Sequence, residues 1–483
     1  MAHEVPYGRR IADLAAERGD ETAVLFAAMD GSEQSVTWRE LDRRSNQVAR
    51  ALADRGVGTG DRVGIELRNS IELVLVVLGA WKVGACPVPM RWDLPDWERS
   101  RLVDVLGGRL VVSDPGLVKE SAALSPDPMP EVVPPNSWGI CSSGTTGSPK
   151  IILLTKPGVF DPETAAPFAA SWGEVETPQI VLVPAPLYHT NGFSGITMML
   201  SGDSMVLLER FDAARIIDLV ERHHVTTFTA TPTMLQRIAR LPDIGQRDLR
   251  SLRWVLQGAA VIPPSLVRDW IGLVGPQRFI MAYGMTEQLG LCALRGDEWL
   301  RHPGSVGKPI REGEVRVLDS SGQDLPPGEI GEIYLRSPTS GSFTYLGMAA
   351  PLPTTEEGFS TAGDLGWLDA DGYLYVADRR VDMIISGGAN VYPAEVESAL
   401  IDHPAVADVV VVGLADGEWG RRVHAIIEPR DPAAPPSRED IVGWAKQRLA
   451  PYKVPKTVEV VESIPRSEAT KVSRQALVAE RGG

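Results

Sequence analysis

Cysteine is scarce in this chain: Cys86, Cys141 and Cys292 are the only three among 483 residues, and none belongs to a CxxC pair. That pattern excludes a disulfide framework and a thiolate zinc site. Aromatic residues are sparse at 6%. No apolar run approaches the roughly 20 residues needed to span a bilayer; the best, residues 73–81, lies between Glu72 and Lys82. Positive charge is also short, with 48 Lys and Arg against 63 Asp and Glu and a net charge of −15. Such a chain lacks the electrostatic footprint of a nucleic-acid or anionic-membrane binder. The N-terminal stretch MAHEVPYGRRIADLAAERGDE has no apolar segment of the kind a secretory signal needs, so a soluble, cytoplasmic protein is expected.

What is present is an ordinary apolar fraction, 43%, in a chain long enough for about three domain-sized units. Helix and strand signals alternate. Thr37 with Glu40 reads as a capping box, followed by Leu41, Val48 and Leu52 on one face and Gly56 as a stop. Ser70 opens a helix running to Trp81, residues 95–106 form another, and residues 110–112 are a strand. Asp212 caps a helix over 213–223, ahead of the β-branched run 225–229. This alternation predicts α/β layers with largely parallel sheets. Proline-rich punctuation falls at 125–135, 351–358 and 428–436; the last interrupts the final hundred residues, which hold a strand at 406–412 and a helix at 441–449. The expectation is one large body and a smaller C-terminal α+β unit, joined near Asp378–Asp382.

The strongest local signal is the run Cys141, Ser142, Ser143, Gly144, Thr145, Thr146, Gly147, Ser148, Pro149, Lys150. Glycines and hydroxyls let backbone N–H groups converge on phosphate oxygens, and the lysine adds charge. No Ser or Thr follows the lysine and a strand follows it, so this is not a Walker A loop. Taken alone, it also fits a Ser/Gly-rich surface turn. It is followed in order by Tyr283-Gly284-Met285-Thr286-Glu287, Gly363-Asp364, Asp378-Arg379, Gly387-Gly388 and a late Lys471.

This ordered set resembles the adenylate-forming superfamily of acyl-CoA synthetases, stand-alone adenylation domains and beetle luciferases, over essentially the whole chain. The resemblance implies a large N-terminal body of two β-sheets with flanking helices plus a distorted β-barrel (1–378), a hinge at 379–382 with Val381 as its pivot, and a small mobile C-terminal α+β domain (383–483). It further implies that Ser142–Lys150 hold the β- and γ-phosphates of ATP, that Gly258, Ala259, Ala260 and Tyr283 line the adenine, and that Asp364 and Arg379 bind the ribose. Thr286 would touch the α-phosphate and Glu287 would ligate Mg2+. Lys471 would supply charge to the first half-reaction, in which a carboxylate attacks the α-phosphorus. CoA would then meet a second face of the C-terminal domain, bearing Gly387, Gly388, Trp419 and Tyr452. His189, Asn191, Trp254, Gly284 and Gly290 would line the acyl pocket. The segment 188–194 contains no carboxylate to bind an α-ammonium, so the acid is not expected to be an amino acid.

Some flanks depart from the family pattern: Ile151 and Asp378 replace glycines, Val381 stands at the pivot, and Thr470 precedes Lys471 in place of glycine. Ile151 is expected to crowd Lys150, and the departures together to slow adenylation. The leading expectation is ATP- and CoA-dependent acyl-CoA synthesis. Alternatives are a member that only thioesterifies a supplied acyl-AMP, an adenylating enzyme that loads a carrier protein, and a non-catalytic nucleotide binder.

Overall fold

Parallel strands need crossovers, and the helices that supply them begin where the sequence places cap residues. The computed structural model describes residues 4–108, 110–142, 149–162, 168–347, 351–468 and 470–482. Thr37 Oγ1 accepts from Glu40 N at 3.2 Å to open the helix Trp38–Asp54. Ser70 Oγ likewise accepts from Leu73 N at 3.2 Å to open Ile71–Lys82. Asp212 Oδ1 accepts from Arg215 N at 2.8 Å to open Ala213–His223.

These helices flank a nine-stranded sheet. Its centre is parallel and runs Phe279–Gly284, Trp254–Gln257, Thr227–Ala230, Ile180–Val183, Ser204–Leu208 and Thr22–Ala27. One face packs Phe228, Val255, Phe279 and Met281 against the helices Ala213–His223, Pro232–Ala239 and Pro264–Val274. The other presents Val181, Val183, Met205 and Leu207 to Thr190–Met199 and the N-terminal helices. The carboxyl ends of the central strands therefore open on one edge, where α/β sheets bind ligands. A parallel trio of Arg62–Ile65, Cys86–Pro89 and Leu110–Val112 and an antiparallel trio centred on Lys150–Leu154 complete the N-terminal body, together with an antiparallel sheet of four strands from Glu314–Leu318 to Leu374–Arg379.

Residues from Ile384 onward build a separate five-stranded sheet with its own apolar clusters. Among the described residues, no apolar cluster draws members from both sides of 377–383. Polar contacts join the two sides instead, including Arg240 Nη1 to Ala407 O at 2.6 Å. No helix of the described residues is long and apolar enough to cross a membrane.

Two expectations about element limits shift. The strand expected at 225–229 is Thr227–Ala230, because Val225 is taken into the apolar cluster closing the preceding helix. The helix expected at 441–449 begins at Arg438, since Ser437 and Asp440 form a capping box.

Two of the sequence departures find structural roles. Ile151 is fully buried with Cys86, Val88 and Leu106. Successive strand residues face opposite sides, so Ile151 points away from the side on which Lys150 works, and the expected crowding of that lysine is overturned. Asp378 is also buried. Its carboxylate accepts from Arg379 N at 2.7 Å and from Ala394 N at 2.8 Å, capping from a distance the helix Pro393–Ile401, whose own N-cap residue makes no side-chain capping bond.

Burial pushes the Asp378 carboxyl up to about 6, against the lowering influence of Arg474 and the two N–H donors. A carboxyl whose folded-state pKa is raised binds protons more tightly when folded. Its contribution to stability is best below the ordinary value, declines as pH rises towards about 6, and is level above that. Asp378→Asn is therefore expected to gain on the wild type between pH 4 and 7, by up to roughly 3 kcal/mol. Chemical denaturation at the two pH values checks this; a stability difference that does not change with pH contradicts it.

Candidate active site

Antiparallel register brings the first pair of functional groups together. Asp364 opens the strand Asp364–Leu368, Arg379 closes Leu374–Arg379, and the two are register partners. Arg379 Nε lies 3.4 Å from Asp364 Oδ1, while the Tyr283 hydroxyl donates to Asp364 Oδ2 at 2.7 Å. Burial, and then the charge of Asp364, raises the Tyr283 phenol well above its usual range, so it remains a neutral donor. Beside it, the strand Trp254–Gln257 ends in Gly258, where an added Cβ would meet nothing closer than Ala282 O at 4.0 Å. Ala259 adopts φ 74°, and Ala259 and Ala260 are exposed. An open slot along backbone, with a carboxylate able to accept from two vicinal hydroxyls, fits a nucleoside.

The second group gathers around Glu287, which is buried in the loop after Phe279–Gly284. Tyr345 donates its hydroxyl to Glu287 Oε1 at 2.7 Å; Lys150 Nζ stands 3.9 Å from the same oxygen and 3.9 Å from the Tyr345 ring centroid. Burial lowers the Lys150 pKa, as does the charge of Arg379, while Glu287 opposes both. Thr286 Oγ1 is 2.6 Å from Thr190 Oγ1, so a loop hydroxyl meets the hydroxyl that opens the helix Thr190–Met199 beside the carboxylate. Carboxylate and hydroxyl oxygens are the donors a hard cation such as Mg2+ takes, and the contacts of Glu287 with the described residues Tyr345 and Lys150 fall on Oε1. Ser142 ends the strand Gly139–Ser142 and Lys150 begins Lys150–Leu154. Ser143, Gly144, Thr145, Thr146 and Gly147, expected to hold phosphates, lie outside the described residues.

The C-terminal unit delivers the third element. Thr470 has φ 61°, a left-handed conformation that suits the glycine it replaces and strains a β-branched residue. Its hydroxyl lies 2.7 Å from Thr231 Oγ1, on the carboxyl edge of the large sheet. Arg466 braces the loop, donating to Asp408 at 2.6 and 2.8 Å and to Thr470 O at 3.0 Å. Glu468 accepts from Trp92 Nε1 at 3.3 Å and from the Tyr188 hydroxyl at 3.4 Å. Lys471 is solvent-accessible yet surrounded by protein on most sides, the signature of a side chain standing in an open cleft. Desolvation lowers its pKa first and Arg379 second, while Glu287 offsets them. Lys471 thus lies within electrostatic reach of Arg379 and Glu287, next to the Thr470 that meets Thr231 at the carboxyl edge of the sheet. His189, which N-caps the helix Thr190–Met199, is driven down to about 3 by burial and by the charges of Lys471 and Arg91, and is a neutral imidazole.

The remaining expected residues divide. Asn191 lies on the helix Thr190–Met199 and Gly284 ends Phe279–Gly284, both near the cleft edge. Gly290 does not line a pocket: a Cβ there would sit 3.1 Å from Leu335 Cβ, so it is a close-packing residue under the four-stranded sheet. Trp254 is buried at the far end of its strand from Gly258. Gly387 and Gly388 make the turn between Ile384–Ser386 and Ala389–Val391, with φ 58° and 81°. The Trp419 ring covers Gly387 so closely that a Cβ would lie 2.6 Å from it. Trp419, Tyr452 and Val381 are exposed, and Lys456 Nζ stands 4.5 Å over the Trp419 ring. Tyr345 and Thr231 were not expected from the sequence, because each meets its partner only through long-range pairing.

The AMP-binding enzyme family matches residues 11–344, and the AMP-binding enzyme C-terminal domain matches residues 395–471. The chain belongs to the AMP-binding enzymes, which form the adenylate-forming superfamily. A fatty acid–acyl-carrier-protein ligase of Streptomyces coeruleorubidus is 31% identical over 479 residues, covering 92% of this chain and 91% of that protein. A 2-succinylbenzoate–CoA ligase of Bacillus licheniformis is 31% identical over 481 residues, covering 95% and 98%. The o-succinylbenzoate coenzyme A synthetase of Bacillus subtilis, solved with ATP and magnesium ion, superposes with a TM-score of 0.83 at 30% identity over 99% of this chain and 100% of that one.

Asp364→Ala is expected to weaken AMP binding by roughly tenfold to a hundredfold, the value of a charge-assisted hydrogen bond. Tyr283→Phe, which leaves the carboxylate in place, should cost less. Titration calorimetry with AMP measures both. Unchanged affinity in Asp364→Ala would return that residue to a turn-stabilising role.

Proposed function

We propose that this chain activates a carboxylic acid with ATP in the cleft around Glu287 and passes the acyl group to the thiol of CoA. The protein is an AMP-forming acid–thiol ligase that uses ATP, Mg2+ and CoA. The observation that carries the finer reading is the seating of the Lys471 loop at the carboxyl edge of the sheet, where Thr470 Oγ1 lies 2.7 Å from Thr231 Oγ1 and the Lys471 charge is felt with those of Arg379 and Glu287. In the first half-reaction a carboxylate oxygen bonds to the α-phosphorus, the bond to the bridging oxygen breaks and pyrophosphate leaves. Both reactants are anions, so positive charge must be waiting where they meet. Lys471 and Lys150 supply it, and Mg2+ held by Glu287 would add to it. Asp364, Arg379 and Tyr283 fix the ribose, and neutral His189 borders the acid without adding charge.

In the second half-reaction the thiol sulfur bonds to the acyl carbonyl, the carbonyl–phosphate bond breaks and AMP leaves. Lys471 has no part in this step. We read residues 379–382 as the pivot between units 1–378 and 383–483, about which the surface bearing Gly387, Gly388, Trp419 and Tyr452 turns inward. The exposed Trp419 with Lys456 above it suits an adenine ring and a phosphate, which favours CoA as acceptor. A carrier protein is the second reading, supported by the fatty acid–acyl-carrier-protein ligase among the relatives. The burial of Ile151 removes one reason to expect slow adenylation, and the Thr231–Thr470 contact supports the orientation that adenylation requires. The absence of a carboxylate from residues 188–194 supports an acid other than an amino acid.

Lys471→Ala is expected to lower acid-dependent pyrophosphate release about 100-fold while CoA-dependent turnover of supplied acyl-AMP persists. Running both assays on the variant, with CoA and with a phosphopantetheinylated carrier protein as acceptors, tests the reading. Equal loss in the two half-reactions would show that the lysine acts through folding.

A further inference from the structure

Opposite charges in a partly desolvated site draw together until something stops them. Lys150 and Glu287 are such a pair: each side chain is 11% exposed, and Lys150 Nζ lies 3.9 Å from Glu287 Oε1. A direct ammonium–carboxylate hydrogen bond runs at about 2.7–2.9 Å. The two charges are therefore neighbours without being bonded to each other. Tyr345 touches both.

Register puts the tyrosine there. The strand Phe343–Leu346 runs antiparallel to Lys150–Leu154, with Tyr345 opposite Ile152 and Phe343 opposite Leu154. Residues two apart on a strand share a face, so Lys150, Ile152 and Tyr345 stand on one side of this small sheet. Phe343 packs edge-on against the Tyr345 ring, with centroids 5.3 Å apart. Lys150 Nζ lies 3.9 Å from the ring centroid, well inside the roughly 6 Å over which an aromatic face attracts a cation. The phenol hydroxyl donates at 2.7 Å to Glu287 Oε1, the same oxygen that the ammonium approaches. Burial and then the bond to Glu287 raise the phenol pKa, so this donor is neutral.

One side chain thus gives each ion an uncharged partner: a π face for the ammonium and an O–H for the carboxylate. Neither contact cancels a charge. A direct Lys150–Glu287 bond would cancel two, turning the lysine from the phosphates of ATP and the glutamate from a divalent cation. We infer that Tyr345 is a positioning residue that holds Lys150 and Glu287 apart and keeps both charges free for ATP and Mg2+. This role rests on the acid-activating reading of the cleft. Tyr345→Phe keeps the ring face and removes the atom that occupies Oε1, so nothing then opposes closure of the lysine on the glutamate.

The test compares wild type, Tyr345→Phe, Lys150→Met and the double variant by titration calorimetry, with ATP plus Mg2+ and separately with AMP. Tyr345→Phe is expected to weaken ATP plus Mg2+ about tenfold, and AMP, held at Asp364 and Tyr283, by less than about twofold. In the Lys150→Met background the same change should cost little more, because the lysine that could close on Glu287 is gone. A tyrosine acting only through packing would weaken both ligands and add its effect to that of Lys150→Met. A crystal structure of Tyr345→Phe is expected to show Nζ about 3 Å from a Glu287 carboxylate oxygen. Melting curves identify a variant that has not folded, and Tyr345→Met or Lys150→Gln then takes its place. Where the wild type binds ATP plus Mg2+, unchanged affinity in Tyr345→Phe, equal losses for ATP and AMP, or full additivity with Lys150→Met overturns the inference. So does a Lys150–Glu287 distance that stays near 3.9 Å in the variant structure. If the wild type does not bind ATP plus Mg2+, the acid-activating reading falls, and that distance alone decides whether Tyr345 holds the pair apart.

Discussion

The cleft depends on one buried carboxylate. Glu287 accepts from the Tyr345 hydroxyl, lies 3.9 Å from Lys150 Nζ and offsets the lowered basicity of both Lys150 and Lys471. Without it, Lys150, Lys471 and Arg379 would face one another in a partly desolvated space with nothing to balance them. A site built to receive two anions must store positive charge before they arrive. Glu287 makes that storage tolerable, and it supplies a hard oxygen for a divalent cation in the same place. The surrounding features serve this arrangement: the strand that carries Lys150, the tyrosine on its neighbour, and the loop that brings Lys471 across from the other unit.

Much of this was legible in the sequence because the features are local. The capping residues Thr37, Ser70 and Asp212 mark helix starts through bonds three residues long. Asp364 and Arg379 could be named from the order of motifs, and antiparallel register then explains their meeting. Ile151 shows where the reading went astray. Its place beside Lys150 suggested crowding, although alternation along a strand sends neighbours to opposite faces. That argument was available from the strand expected there.

What stayed hidden depends on pairing between distant segments. Tyr345 reaches Glu287 because its strand lies beside Lys150–Leu154, and nothing near Tyr345 in the chain marks that pairing. Asp378 caps a helix that begins 15 residues later, and only the folded path shows which N–H groups it serves. Thr470 departs from the family pattern, but its hydroxyl finds Thr231 across 239 positions, which gives the departure a partner as well as a strain. Trp254 was expected in the acyl pocket, and register pairs it with Thr227, a buried threonine that no motif contains.

The junction between the two units is held by hydrogen bonds, and no apolar cluster of the described residues spans it. Hydrogen bonds of this sort can be exchanged for water one at a time, whereas an apolar interface must be opened against its whole wetted area. Parting the two units would therefore break up no apolar cluster of the described residues, and water could replace the polar contacts one by one.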